Sequence, residues 1–134
     1  MIMTARMSEL SSATGDYVQF FLFRVPKKNH DAMMELERKI LAGWKKYGIL
    51  HSEFFQLTPH ETVRGFTNFT ERISAQQDEE VWVEAEHYRS REHRDEIFAA
   101  IRKDTPLLEL FGKWYGLVTQ GENSTMGDFT KLRI

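Results

Sequence analysis

Ten residues near the start of the chain, Tyr17–Pro26 (YVQFFLFRVP), are apolar on both of the faces that a strand would present. Alternate side chains of a strand point to opposite sides. Val18, Phe20 and Leu22 therefore share one side, and Tyr17, Phe21 and Phe23 the other. Pro26 cannot donate to a ladder and ends the segment. From His30 to Tyr47 the period changes: Met33, Leu36, Ile40, Trp44 and Tyr47 recur at helical spacing. Asn29 stands at the N-cap position, Asp31 favours the positive end of the helix dipole, and Gly48 suits the residue just past the C-terminus.

A second strand is predicted over Ile49–Leu57, closed by Thr58-Pro59, and a third over Glu80–Tyr88. Between them, residues 58–78 are long for a plain loop. Phe66, Phe69 and Ile73 mark this stretch as a short extended excursion packed onto the core. Ser90 is the expected N-cap of a second helix, with Glu92 in its first turn and Ile97, Phe98 and Ile101 on its buried stripe. Thr105-Pro106 restarts a short helix, Thr as N-cap and Pro at its first position, which Gly112 ends. Trp114–Thr119 (WYGLVT) then reads as the fourth strand, and residues 120–134 as a polar, irregular tail in which Phe129, Leu132 and Ile134 could dock on a neighbour.

The predicted order β-α-β-β-α-β is an α+β, ferredoxin-like arrangement with a four-stranded antiparallel sheet. It divides the chain into a polar N-terminal tail (1–16), one domain (17–119) and a C-terminal tail (120–134). Two crossover helices cover one face of such a sheet. The apolar second face of the first strand then calls for another cover, since monomers rarely expose such patches. A second copy of the chain is the expected partner, the two sheets pairing as a dimeric α/β barrel.

Composition narrows the remaining options. At 134 residues the chain is expected to bury roughly two-thirds of its unfolded surface in one core. With no Cys, disulfides, thiolate metal sites and cysteine nucleophiles are excluded. Eighteen basic residues are dispersed among 20 acidic ones, for a net charge of −2, which argues against nucleic-acid binding. No apolar run approaches the ~18 residues of a membrane span. The N-terminus lacks a secretory hydrophobic region, so the expected location is cytoplasmic. Met1, Met3 and Met7 are alternative starts, and the glycosylation patterns at Asn68 and Asn123 are read as chance matches.

Several stretches resemble a known family. Tyr17-Val18, Val25-Pro26-Lys27-Lys28-Asn29 and Asp31-Ala32 resemble the opening of the uncharacterised YbaA-like bacterial proteins. Thr67-Asn68-Phe69, Glu79 through Val83, Tyr88 through Asp95 (YRSREHRD) and Gly112-Lys113 are similar to later motifs of that family, in the same order. The resemblance spans Tyr17 to Tyr115. It implies the dimeric α/β barrel superfamily, whose members include cofactor-free monooxygenases, haem-degrading enzymes, isomerases and ligand-sensing domains. Tyr88 stands where monooxygenase-like members carry Trp, and Phe98 where haem-binding members carry their histidine. The resemblance therefore speaks against haem and implies no cofactor.

Candidate chemistry follows from strand parity. Trp82, Glu84, Glu86 and Tyr88 share one face of the third strand, expected to be the face free of helices, with Gln19, His51 and Glu53 joining from neighbouring strands. Carboxylates desolvated beside aromatics acquire raised pKa values and can act as general acid or base. Glu84 or Glu86 is the candidate base, and Tyr88 and Trp82 would position the substrate. Gln19, His51, Glu53 and His93 are further candidates for ligand contact. His51, Glu53 and His87 form no tight metal motif, and the parity of His87 opposes Glu84 and Glu86, so no metal is expected. Arg94 and Asp95 read equally as salt-bridging residues that fix the strand–helix corner. The expectation is a homodimer binding a small, largely apolar ligand. A non-catalytic interaction or sensor module, and a cofactor-independent monooxygenase or isomerase, are the alternatives.

Overall fold

A computed structural model describes residues 15–121 and 123–134. The expected polar tail at residues 1–14 lies outside the described residues. The elements are β1 (Tyr17–Pro26), α1 (His30–Lys45), β2 (His51–Gln56), α2 (Phe69–Arg72), β3 (Glu79–Tyr88), α3 (Arg91–Ile101), α4 (Thr105–Leu117) and β4 (Thr125–Thr130). They form one sheet in the order β2-β3-β1-β4, antiparallel at every pairing. The two crossovers thus interleave β1 and β3 at the centre, as the β-α-β-β-α-β order requires. Among the described residues no helix is long and apolar enough to cross a membrane.

The fourth strand is not where the periodicity of β-formers placed it. Residues 114–117 continue α4, and β4 comes from the expected tail. Packing decides this. Leu107, Leu110, Phe111, Trp114 and Leu117 recur at helical spacing and form a stripe against the core, which only a helix can present. Burying such side chains contributes about 1.5–3 kcal/mol each, against roughly 1 kcal/mol for a glycine inside a helix. Gly112 therefore does not stop α4. In β4 the polar sequence TMGDFT suits an edge strand paired on one side only, with Thr130 opposite Tyr17 and Thr125 opposite Leu22.

Two caps also differ from expectation. Asn29 makes no side-chain cap on α1; its Nδ2 donates instead to the Leu117 carbonyl at 2.9 Å and fastens the end of α4. Asp104, rather than Thr105, caps α4 by accepting from the Leu107 N–H at 3.1 Å. Ser90 caps α3 as its sequence suggests, accepting from the His93 N–H at 3.1 Å. Gly48 takes the positive φ of 94° in the turn after α1. In the 58–78 excursion Ile73 is buried, whereas Phe66 is exposed and Phe69 opens the short α2.

The helices cover the face that carries Tyr17, Gln19, Phe21, Phe23 and Val25 on β1, and Trp82, Glu84, Glu86 and Tyr88 on β3. This register pairs Tyr17 with Tyr88, Gln19 with Glu86, Phe21 with Glu84 and Phe23 with Trp82. Tyr88 packs in a cluster with Leu36, Ile40, Trp44, Ile97, Ile101 and Leu107. Phe23, Val25 and Trp82 pack with Met33 in a second cluster. The expectation that the carboxylates of β3 lie on the helix-free face is thus corrected. Parity determines which residues share a face, but the bulk of Phe23, Trp82 and Tyr88 determines which face the helices cover. Val18, Phe20, Leu22, Val81, Val83 and Phe129 lie on the other side.

Candidate functional site

Between the sheet and the helices lies a cavity of about 300 Å³. Its floor is Phe21 of β1 with Glu84 and Glu86 of β3, which point the same way because they are two residues apart on a strand. Glu37, Ile40 and Trp44 of α1 form one wall, since steps of three and four residues keep them on one helix face. Phe111, Trp114 and Tyr115 of α4 form the opposite wall, and Phe98 of α3 lines one end.

Three carboxyl groups therefore enter a largely aromatic chamber. Burial pushes Glu37 up to about 8, reinforced by Glu84 and partly offset by the indole of Trp114, whose Nε1 donates to Glu37 Oε1 at 2.6 Å. Burial also raises Glu84 well above the ordinary carboxylate range, with the negative charge of Glu86 adding to it. Glu86 is pushed up to about 7 by burial, while hydrogen bonds from Glu84 and from the Tyr88 hydroxyl (2.8 Å to Oε1) draw it down. Burial thus pushes both strand neighbours toward their protonated forms. Glu84 is 6% exposed and Glu86 1%, and the Oε2 atoms of both have no hydrogen-bond partner among the described residues; nor has the buried Trp44 Nε1. Neighbouring carboxyls with separated proton affinities form an acid–base pair near neutral pH.

The other sequence candidates fall around this chamber or away from it. Tyr88 is fully buried beneath Glu86, and burial raises its hydroxyl above the ordinary range, so it supports the carboxylate rather than meeting a ligand. Trp82 donates from Nε1 to Glu80 Oε1 at 2.9 Å and does not line the cavity. Gln19, opposite Glu86, donates to Asp128 Oδ1 at 3.0 Å; Asp128 also takes the Tyr17 hydroxyl and Arg94 Nη1. Arg94 so links α3 to β4 and stacks over Tyr17 and Phe98.

His51 and Glu53 lie on the opposite face of the sheet, because β2 pairs with β3 so that His51 faces His87 and Glu53 faces Ala85. They bond to each other at 2.9 Å and cannot join Glu84 and Glu86. Among the described residues no group of His, Asp and Glu is arranged to hold a metal ion. His93 is buried at the corner between β3 and α3. Its Nδ1 accepts the Arg89 N–H at 3.0 Å, and burial lowers its proton affinity, so it acts as a neutral structural link outside the cavity.

Glu37 is the acid that sequence reasoning missed. Its signal was nonetheless present: positions 33, 37, 40 and 44 follow the helical period, which places a carboxylate inside the apolar stripe of α1. Trp44, Phe98, Phe111 and Trp114 read as core or strand residues, and their spacing alone does not reveal that they enclose space.

With this geometry established, a family model described as a protein of unknown function, DUF1428, matches residues 16–113. The chain belongs to the DUF1428 family. The match includes Glu37, Glu84, Glu86 and Phe98 and ends just before the last wall residues, Trp114 and Tyr115. No curated protein matches the chain.

Proposed function

We propose that this DUF1428 chain binds a small, largely apolar molecule in the chamber between sheet and helices, and that Glu84 and Glu86 exchange protons with it. The observation that carries this is the aromatic cavity of about 300 Å³ with two buried, unpartnered carboxyl oxygens on its floor. Pockets that combine an apolar wall with convergent groups of shifted proton affinity are the usual setting of binding and catalysis. In the enzymatic form, the Glu86 carboxylate takes a proton from an acidic C–H bond of the substrate. Glu84 or Glu37, as the neutral acid, returns one at another atom. The net change is an isomerisation that needs no cofactor or oxidant. A filled interior would favour a non-catalytic module instead; the cavity favours the pocket.

The proposed assembly is a homodimer through the helix-free face, forming a dimeric α/β barrel. Two apolar grooves on that face support it, one lined by Phe20, Leu22, Val83 and Phe129, the other by Phe20, Phe55, Val81 and Val83.

Native mass spectrometry of the freshly purified protein tests both parts. The expected result is a dimer carrying a stoichiometric added mass that disappears in Ile40→Trp, which fills the cavity. A protein that carries no added mass and takes up no apolar probe at millimolar concentration overturns the pocket. A monomer persisting at micromolar concentration overturns the dimer.

A further inference from the structure

The cavity gathers more acidic groups than its apolar walls explain. Glu37, Glu84 and Glu86 reach it from two different elements, and no Lys, Arg or His lines it. Burying a carboxylate without a partner is costly. Elsewhere in this protein buried or half-buried acids are matched: Glu79 with Arg24 at 3.7 Å, and Asp128 with Arg94 at 3.1 Å. Here the matching cation is missing from the described residues, while Oε2 of Glu84 and Oε2 of Glu86 are left without donors.

We propose that the cavity is a binding site for a small organic monocation, an amine or ammonium group carried on a compact aromatic or aliphatic body. This names the ligand class of the pocket proposed above and rests on that pocket. The two unpartnered carboxyl oxygens accept hydrogen bonds from the ammonium head. The faces of Trp44, Phe98, Phe111 and Trp114 take the body, and aromatic faces attract cations by about 0.5–2 kcal/mol. A metal ion does not fit the same charge, because these acids do not converge into a chelating set. An anion would face three acids and no base.

Protonation supports the same ligand. Glu86 faces Glu84 and Tyr88 on its own strand, Glu37 from α1 and Asp128 from β4; burial raises it to about 7, with Glu37 and Asp128 adding to the rise and the hydrogen bonds of Glu84 and Tyr88 opposing it, and burial raises Glu37 to about 8. A bound cation stabilises the ionised forms and so expels protons. Amine affinity should therefore rise from pH 6 to pH 8.

The test compares three probes of one shape: 2-phenylethylamine, 2-phenylethanol and 3-phenylpropionate. Binding is followed by the fluorescence of the wall tryptophans and by calorimetry in two buffers of different ionisation enthalpy. The expected outcome is that the amine binds at least tenfold tighter than the alcohol at pH 8, with proton release, and that the carboxylate does not bind. Glu86→Gln should lose that amine preference while still binding the alcohol, which also shows that the variant is folded. Equal binding of amine and alcohol overturns the cation inference and leaves the pocket standing. No saturable signal from any of the three at millimolar concentration overturns both.

Discussion

Glu37 shows how much a single residue's setting matters. In an unfolded chain its carboxyl titrates near 4.3; in the fold it is raised to about 8 by burial and by Glu84. A folded-state pKa raised in this way means the native protein holds the proton more tightly. The associated stability is full below about pH 4.3 and is lost as the pH rises through about 8. Glu37→Gln removes that titration and keeps an acceptor for Trp114 Nε1. Relative to the parent, the variant should gain on the order of 2–4 kcal/mol between pH 5 and pH 8.5, measured by urea denaturation at each pH. A constant difference between the two proteins across that range would show that Glu37 ionises freely. Glu84 and Glu86 were legible as a same-face pair from spacing alone. Their raised proton affinity was not, because it depends on what the helices lay over them.

At the scale of elements, α4 and β4 illustrate the limit of local propensity. Trp114, Tyr115, Val118 and Thr119 are good strand formers, and Gly112 a natural stop, yet the helix runs to Leu117. Space around Gly112 is open, with no atom near the position of an added Cβ. Gly112→Ala should therefore raise stability by about 0.5–1 kcal/mol through helix propensity alone, seen as a higher urea midpoint at unchanged m-value. A loss of stability would argue that the chain turns at residue 112. By contrast β1, β3 and the bodies of α1 and α3 were legible, because each has a strong period or a well-placed cap such as Ser90. β4 was not: a six-residue edge strand containing Gly127 and Asp128 carries no pattern, and its place comes from the free edge of β1 and the Asp128 bonds to Gln19, Tyr17 and Arg94.

For the whole molecule, the proposed assembly centres on the face the helices leave uncovered. Phe55 is 53% exposed and Phe129 54% exposed there. Phe55→Glu places a charge on that face while leaving the two core clusters intact. Analytical ultracentrifugation should find the parent dimeric at micromolar concentration and Phe55→Glu shifted to monomer, with a circular dichroism spectrum unchanged. A variant that stays fully dimeric would place the contact elsewhere. Local pattern in the sequence carries the α+β class, the order of the first three strands and the helices between and after them, and the sharing of a face by Glu84 and Glu86, because period and parity are local properties of the backbone. Packing alone settles that those acids lie under the helices, that Glu37 joins them, that His51 and Glu53 lie on the far side, and that β4 takes the free edge of β1. These depend on strand register and on which bulky residues the helices cover, and neither is encoded within any single segment.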